Sequence, residues 1–180
     1  MKATPEGEHD RAERTAICCT RSFEQSKHHP MDVMIRPARS GDIPRMADLL
    51  GELFSIESGF TPDRERQERG LRDLIAGPPG SAQVIVAEMK GTVIGMATVQ
   101  TVVSTAEGGR AGLVEDVIVD REYRGRGIGA RLLIGITDWA REQDLKRLQL
   151  LADRENHPAL LFYHDTGWSH TGMICLRKSM

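Results

Sequence analysis

The chain has 180 residues, of which 39% are hydrophobic and 28% charged, with a formal net charge of −2. That length suits one domain with some excess, and the composition lies outside the disordered, collagen-like and low-complexity classes. Near-balanced charge gives no general reason to expect nucleic acid or an anionic membrane as partner, and no stretch approaches the roughly 18 consecutive apolar residues of a membrane span.

Residues 1–31 are rich in charge and poor in periodic apolar residues, ending at His28, His29, Pro30 and Met31, and read as a non-catalytic leader or arm. The opening MKATPEGEHD is too polar for the apolar core of a secretion signal, so a cytoplasmic location is expected by elimination. Cys18, Cys19 and Cys175 form neither an even disulfide framework nor a C-x-x-C pair, and are expected to be reduced thiols. The leader thiols and histidines show no metal-site spacing, and no metal is expected.

The functional domain is expected over 32–180. Val33 and Ile35 followed by Pro37 predict a short first strand, and Ser40 stands where a helix cap would, before Asp42 and Pro44. Ile43, Met46, Ala47, Leu50, Leu53 and Phe54 recur at helical spacing and form one apolar stripe. That helix stops around Gly59 to Pro62. A more charged second helix runs from about Asp63 to Ala76 and ends in the breaker Gly77-Pro78-Pro79-Gly80.

The period then changes. QVIVAEM and TVIGMATVQTVV flank Lys90-Gly91 as a hairpin, and a polar loop leads to a third β-rich run, GLVEDVIV. Ile128, Leu132, Leu133, Ile136 and Ala140 mark a helix, and RLQLLA marks a strand after it. Strand, helix and strand make a right-handed crossover with parallel pairing. Asn156 caps a short helix with Pro158 in its first turn and Gly167 after its end. An apolar-rich final run, WSHTGMICL, is expected to form a last strand with Cys175 as a small core residue near its end. The fold class is α/β: a mixed sheet, antiparallel first and parallel later.

Between the third strand and the third helix lie Arg124, Gly125, Arg126, Gly127, Ile128, Gly129 and Ala130. Amides at a helix start are unpaired donors in a positive potential, glycines allow close approach, and arginines add charge-assisted bonds, so the segment suits a phosphate. Alone it reads equally as a simple chain turn.

A second motif changes that balance. YRGRGIG is similar to the R/Q-x-x-G-x-G/A acyl-CoA loop of the GNAT superfamily of N-acetyltransferases. NHPALLFYHDTGW resembles that family's N-x-x-A-x-x-F/L-Y segment, followed by a Gly-aromatic pair. The likeness runs from about Val33 to the C-terminus. It implies the GNAT acyl-CoA N-acyltransferase fold, with the sheet splayed between GLVEDVIV and RLQLLA and acetyl-CoA as co-substrate in the opening.

Residue by residue, the resemblance assigns backbone atoms of Val117, Ile118 and Val119 to the pantetheine arm, and the amides from Arg124 to Ala130 to the pyrophosphate. Asn156 would bond the pantetheine side of the cofactor as well as cap its helix. Tyr163 would be the acid that protonates the departing thiolate, since an ordinary phenol of pKa about 10 is protonated at neutral pH. Its other reading is a core aromatic beside Leu160 and Phe162.

A base must also free the amine from its ammonium form. Glu115 and Asp116 lie on the third central strand, where alternation is expected to send them to opposite faces. The E-D-x-x-V spacing resembles polyamine and glucosamine-phosphate members of the family, and Glu115 is the expected base. Either carboxylate reads otherwise as a substrate contact or a structural hydrogen bond.

Together these expectations describe an acetyl-CoA-dependent acetyltransferase acting directly on a primary amine of a small molecule, with a homodimer plausible for the fold. Acidic Glu52, Glu57, Asp63 and Glu65 near the first two helices suit a cationic acceptor. Two other readings are a peptide or protein acetylase and a non-catalytic acyl-CoA-binding module.

Overall fold

The computed structural model describes residues 33–56 and 60–178. The leader with Cys18, Cys19, His28 and His29, and residues Glu57 and Gly59, lie outside the described residues.

Five strands form one sheet in chain order: β1 (Val33–Pro37), β2 (Ala82–Met89), β3 (Thr92–Ser104), β4 (Gly109–Val119) and β5 (Leu148–Leu150). The first four pair antiparallel and β4 pairs β5 in parallel. Lys90 and Gly91 turn the β2–β3 hairpin with φ of 51° and 80°, as a type I′ turn requires.

Helices cover both faces. The stripe read from Ile43 to Phe54 becomes α1 (Ile43–Ile56), which with α2 (Arg64–Ala76) packs Met46, Leu49, Leu50 and Leu71 onto Val84, Val86, Met96 and Ile118. On the opposite face α3 (Ile128–Glu142) sets Ile128, Leu132 and Ile136 against Ile85, Ala97, Val99 and Val114. Each of these Val, Leu, Ile and Met side chains contributes about 1.5–3 kcal/mol by leaving water. No helix among the described residues is long and apolar enough to cross a membrane.

The start of α1 differs from the sequence expectation. Ser40 lies inside a 3-10 turn, Ser40–Asp42, and Arg39 takes the cap position, its backbone N–H donating to Asp42 Oδ2 at 2.7 Å. Asp42 is fixed by Arg36 of β1, which also binds Glu88 of β2, and the guanidinium holds the Asp42 carboxyl below its usual range. A charged staple therefore does the work expected of the Ser40 hydroxyl.

The short helix α4 (His157–Asp165) is capped as expected, with Asn156 Oδ1 accepting from the Ala159 amide at 3.2 Å. It ends in a Schellman motif: Trp168 N donates to Tyr163 O and Gly167 N to His164 O, each at 3.0 Å, with Gly167 at φ 91°. The strand expected beyond it does not form. Residues 171–178 are exposed, including Met173, Ile174, Cys175 and Leu176. Apolar content makes a strand only where a sheet edge accepts it, and β5, three residues long, offers little ladder.

Candidate active site

β4 and β5 pair only from Gly112↔Leu148 to Val114↔Leu150. Past that point β4 continues through Glu115 to Val119, while β5 has ended. On the other side β4 stays paired with β3 as far as Val119. The sheet therefore opens along one edge of β4.

The opening coincides with a bulge. Ala97 pairs Val117 and Val99 pairs Val114, so Glu115 and Asp116 together stand opposite Thr98. The extra residue cancels the alternation expected from sequence. Glu115 Oε2 accepts from Gln100 Nε2 at 2.9 Å, and Asp116 Oδ2 accepts from Thr98 Oγ1 at 3.2 Å. Thr98 and Gln100 share the face of Met96, which belongs to the α1–α2 layer. Both carboxylates thus turn to one face, not to opposite ones. Thr98 is fully buried and also takes the Asp116 amide on its Oγ1, at 3.1 Å.

Asp116 N and Asp120 N both donate toward β3, to Thr98 Oγ1 and Ile94 O. Alternation then turns the peptide groups of Val117 and Val119 to the open edge and those of Ile118 to the ladder with Met96. The Ile118 side chain is buried in the α1–α2 core. The Val119 carbonyl already accepts from Arg124 Nε at 2.7 Å.

The R-G-R-G-I-G loop follows a 3-10 turn, Arg121–Tyr123, and leads into α3. Its cap is Gly127, at φ 74° and ψ 6°, with no side chain to accept from the first amides of the helix. Those of Ile128, Gly129 and Ala130 are the unpaired donors of any helix start. A Cβ placed on Gly125 or Gly127 would meet nothing within 4 Å. The donor set, the open space and the positive helix end fit a diphosphate. Gly129 serves packing as well: a Cβ there would lie 3.0 Å from Phe162 Cζ, so its bareness seats α4 against α3.

Both arginines are partly engaged. Arg124 lies 3.9 Å from Glu52 of α1, and Arg126 donates to Glu122 O at 3.1 Å, with its guanidinium 5.5 Å from the Tyr123 ring centre. Tyr163 is half-buried on α4, its ring 5.2 Å from that of Phe162 and 6.2 Å, edge-on, from that of Trp168. Asn156 is partly buried at the start of the same helix. His164 is exposed beside Asp165, and among the described residues no His, Cys, Asp and Glu group is arranged to hold a metal. Sequence reasoning missed Thr98 and Gln100, whose signal is two polar residues, two apart, inside an apolar run.

Residues 43–168 match the family model described as the acetyltransferase (GNAT) family. The chain belongs to that family. It is an N-acetyltransferase, and GNAT enzymes in general draw on acetyl-CoA. It is 25% identical over 139 residues to the glucosamine 6-phosphate N-acetyltransferase of Trypanosoma brucei brucei, covering 77% of this chain and 90% of that protein. With the thialysine N-epsilon-acetyltransferase of Bos taurus it shares 29% identity over 143 residues, 75% of this chain and 83% of the relative. Among solved structures, the glucosamine-6-phosphate N-acetyltransferase from Arabidopsis thaliana superposes with a TM-score of 0.66, spanning 81% of this chain and 97% of that one. At 22% identity that likeness concerns the GNAT fold alone.

Proposed function

We propose that this GNAT enzyme moves an acetyl group from acetyl-CoA directly to the primary amine of a small molecule. One observation carries the reading: β4 parts from β5 where its bulge turns Glu115 and Asp116 onto the α1–α2 face, on the strand that leads through a 3-10 turn to the glycine-capped start of α3. A thioester held along that open edge has carboxylates beside it and helix amides for its diphosphate.

The amides from Arg124 to Ala130 bind the diphosphate, and the outward peptide groups of Val117 and Val119 bind the pantetheine arm. Since the Val119 carbonyl is engaged by Arg124, the Val117 groups and the Val119 amide contribute most. Glu115, oriented by Gln100, takes a proton from the acceptor ammonium. The amine lone pair then forms a C–N bond to the acetyl carbonyl carbon as the C–S bond breaks. As the nitrogen becomes an amide it sheds its second proton to solvent, while Tyr163 gives its phenolic proton to the departing sulfur and regains one from solvent. Asn156 supports the pantetheine end of the site while capping α4. Acceptors in the printed names of the two relatives, an amino sugar phosphate and an amino acid analogue, support a small amine. Residues 1–31 are a non-catalytic arm in this reading, and the working enzyme is a cytoplasmic homodimer.

The test is free-thiol release across polyamines, amino sugars, amino acids and peptides. A small primary amine should support turnover, with Tyr163→Phe and Glu115→Gln each lowering kcat about 10²- to 10⁴-fold. Turnover with peptides alone would identify a protein acetylase. Failure of every acceptor to release thiol, with CoA still bound, would leave an acyl-CoA-binding module.

A further inference from the structure

Between Asp120 and the first turn of α3 the chain is mostly exposed and anchored by few contacts to the rest of the domain. Residues 121–127 are exposed except for the half-buried Tyr123, and Gly125 and Gly127 both take positive φ with no neighbouring atoms where a Cβ would stand. Within this stretch Arg124 and Arg126 bond Val119 O and Glu122 O, and the direction in which it leaves β4 is set at Asp120.

Asp120 is one end, and every polar group on it is used. Its amide donates to Ile94 O and its carbonyl accepts from Tyr123 N, both at 2.9 Å. Its Oδ1 accepts from Glu122 N at 2.9 Å, which starts the 3-10 turn. Its Oδ2 forms an ion pair with Arg45 Nη2 of α1, the carboxylate being 16% exposed and the guanidinium 32%. Arg45 is itself braced, its Nε donating to Val93 O at 3.1 Å. Seven residues further along α1, two turns on the same face, Glu52 stands 3.9 Å from Arg124. One helix therefore grips the loop on both sides of its turn.

We infer that Asp120 is a positioning residue for the cofactor. Through Arg45 and the Glu122 amide it sets the direction in which the R-G-R-G-I-G loop leaves β4, and so the place where the α3 amides meet the CoA diphosphate. The ion pair holds two elements that share no backbone bond at this point. Charge-assisted bonds at this exposure are directional and stronger than neutral ones. The inference rests on the proposed binding of the diphosphate by this loop.

The experiment compares the affinities of CoA, dephospho-CoA, which keeps the diphosphate but not the 3′-phosphate, and pantetheine, which lacks the diphosphate and the nucleotide, for the full chain and for Asp120→Asn and Arg45→Met, by calorimetry and ligand-observed NMR. The amide side chain keeps an oxygen for the Glu122 amide and puts an NH2 group, which cannot accept a hydrogen bond, where Oδ2 met Arg45, so both the charge and the acceptor of the ion pair are lost. Each variant should weaken CoA and dephospho-CoA about tenfold, leave pantetheine unchanged, and the double variant should add little to either single one. Equal loss for all three ligands, or no loss for dephospho-CoA, overturns the inference. Should Asp120→Asn unfold, Arg45→Met alone carries the same comparison. If the unsubstituted protein binds CoA and dephospho-CoA no more tightly than pantetheine, the reading of the loop itself fails, and that result is separate from the behaviour of the variants.

Discussion

Replacing Gly127 by alanine isolates the backbone requirement of the cofactor loop. A Cβ at this position would find open space, so no steric clash contributes. The penalty comes from φ 74° and ψ 6°, the left-handed region, where an alanine costs about 1–2 kcal/mol. It is expressed in one of two places. If the unliganded loop keeps this conformation, stability falls, reduced by the roughly 0.4–1 kcal/mol that alanine returns by restricting the unfolded chain. If the loop relaxes when unliganded, the penalty moves to binding, and CoA affinity drops about 5- to 30-fold. Urea denaturation without ligand and calorimetry with CoA measure the two parts. Asparagine tolerates the left-handed region better than alanine does; accordingly Gly127→Asn should recover part of the combined loss. The reasoning is refuted if Gly127→Ala stabilises the unliganded protein while leaving CoA affinity unchanged, or if Gly127→Asn is worse than Gly127→Ala.

Two further expectations concern the frame that holds the site. At Gly112 an added Cβ would come 2.4 Å from Leu148 Cδ2 and 3.1 Å from both Leu145 Cδ1 and Val99 Cγ2, in the first pair of the short parallel ladder. Gly112→Ala should cost about 1–3 kcal/mol by overpacking, read as a lower urea midpoint at unchanged slope. Asp42 has a folded pKa depressed first of all by its hydrogen bond with Arg36, so its stabilisation is complete above the ordinary carboxylate range and is lost as pH falls through the lowered value. Asp42→Asn should lower stability at neutral pH by about 1.5–3 kcal/mol and flatten the loss seen in the parent below about pH 4; an equally steep acid limb in the variant would count against the staple.

At Tyr163, the proposed acid, packing and chemistry can be separated. It is the third residue from the end of α4, and the Schellman turn at Gly167 folds Trp168 back against its ring. The ring is thus part of the helix end, and the hydroxyl is the part that Tyr163→Phe removes. That substitution keeps both aromatic contacts, so a fall in kcat with little change in stability would assign the loss to the proton and not to the fold.

Much of the architecture was legible in residue order because it follows from local rules. The α1 and α3 stripes predict the buried faces of both helices, Lys90-Gly91 predicts the hairpin turn, and Asp63, Asn156 and Gly167 mark helix ends. The glycine loop and the Asn-to-Tyr segment resemble a family whose model covers most of the described chain. What stayed hidden depends on partners distant in sequence. Alternation separates Glu115 from Asp116, but one extra residue opposite Thr98 unites them, and only pairing with β3 creates that bulge. Ser40 looks like a cap until Arg36, held against Glu88 of the neighbouring strand, supplies Asp42 with a charge-assisted bond. Arg45 and Asp120 are 75 positions apart, and WSHTGMICL has strand-forming residues without an edge to receive them. Periodicity and turn chemistry act over a few residues, whereas register, bulges and ion pairs are set by which surfaces meet when the sheet closes on its helices.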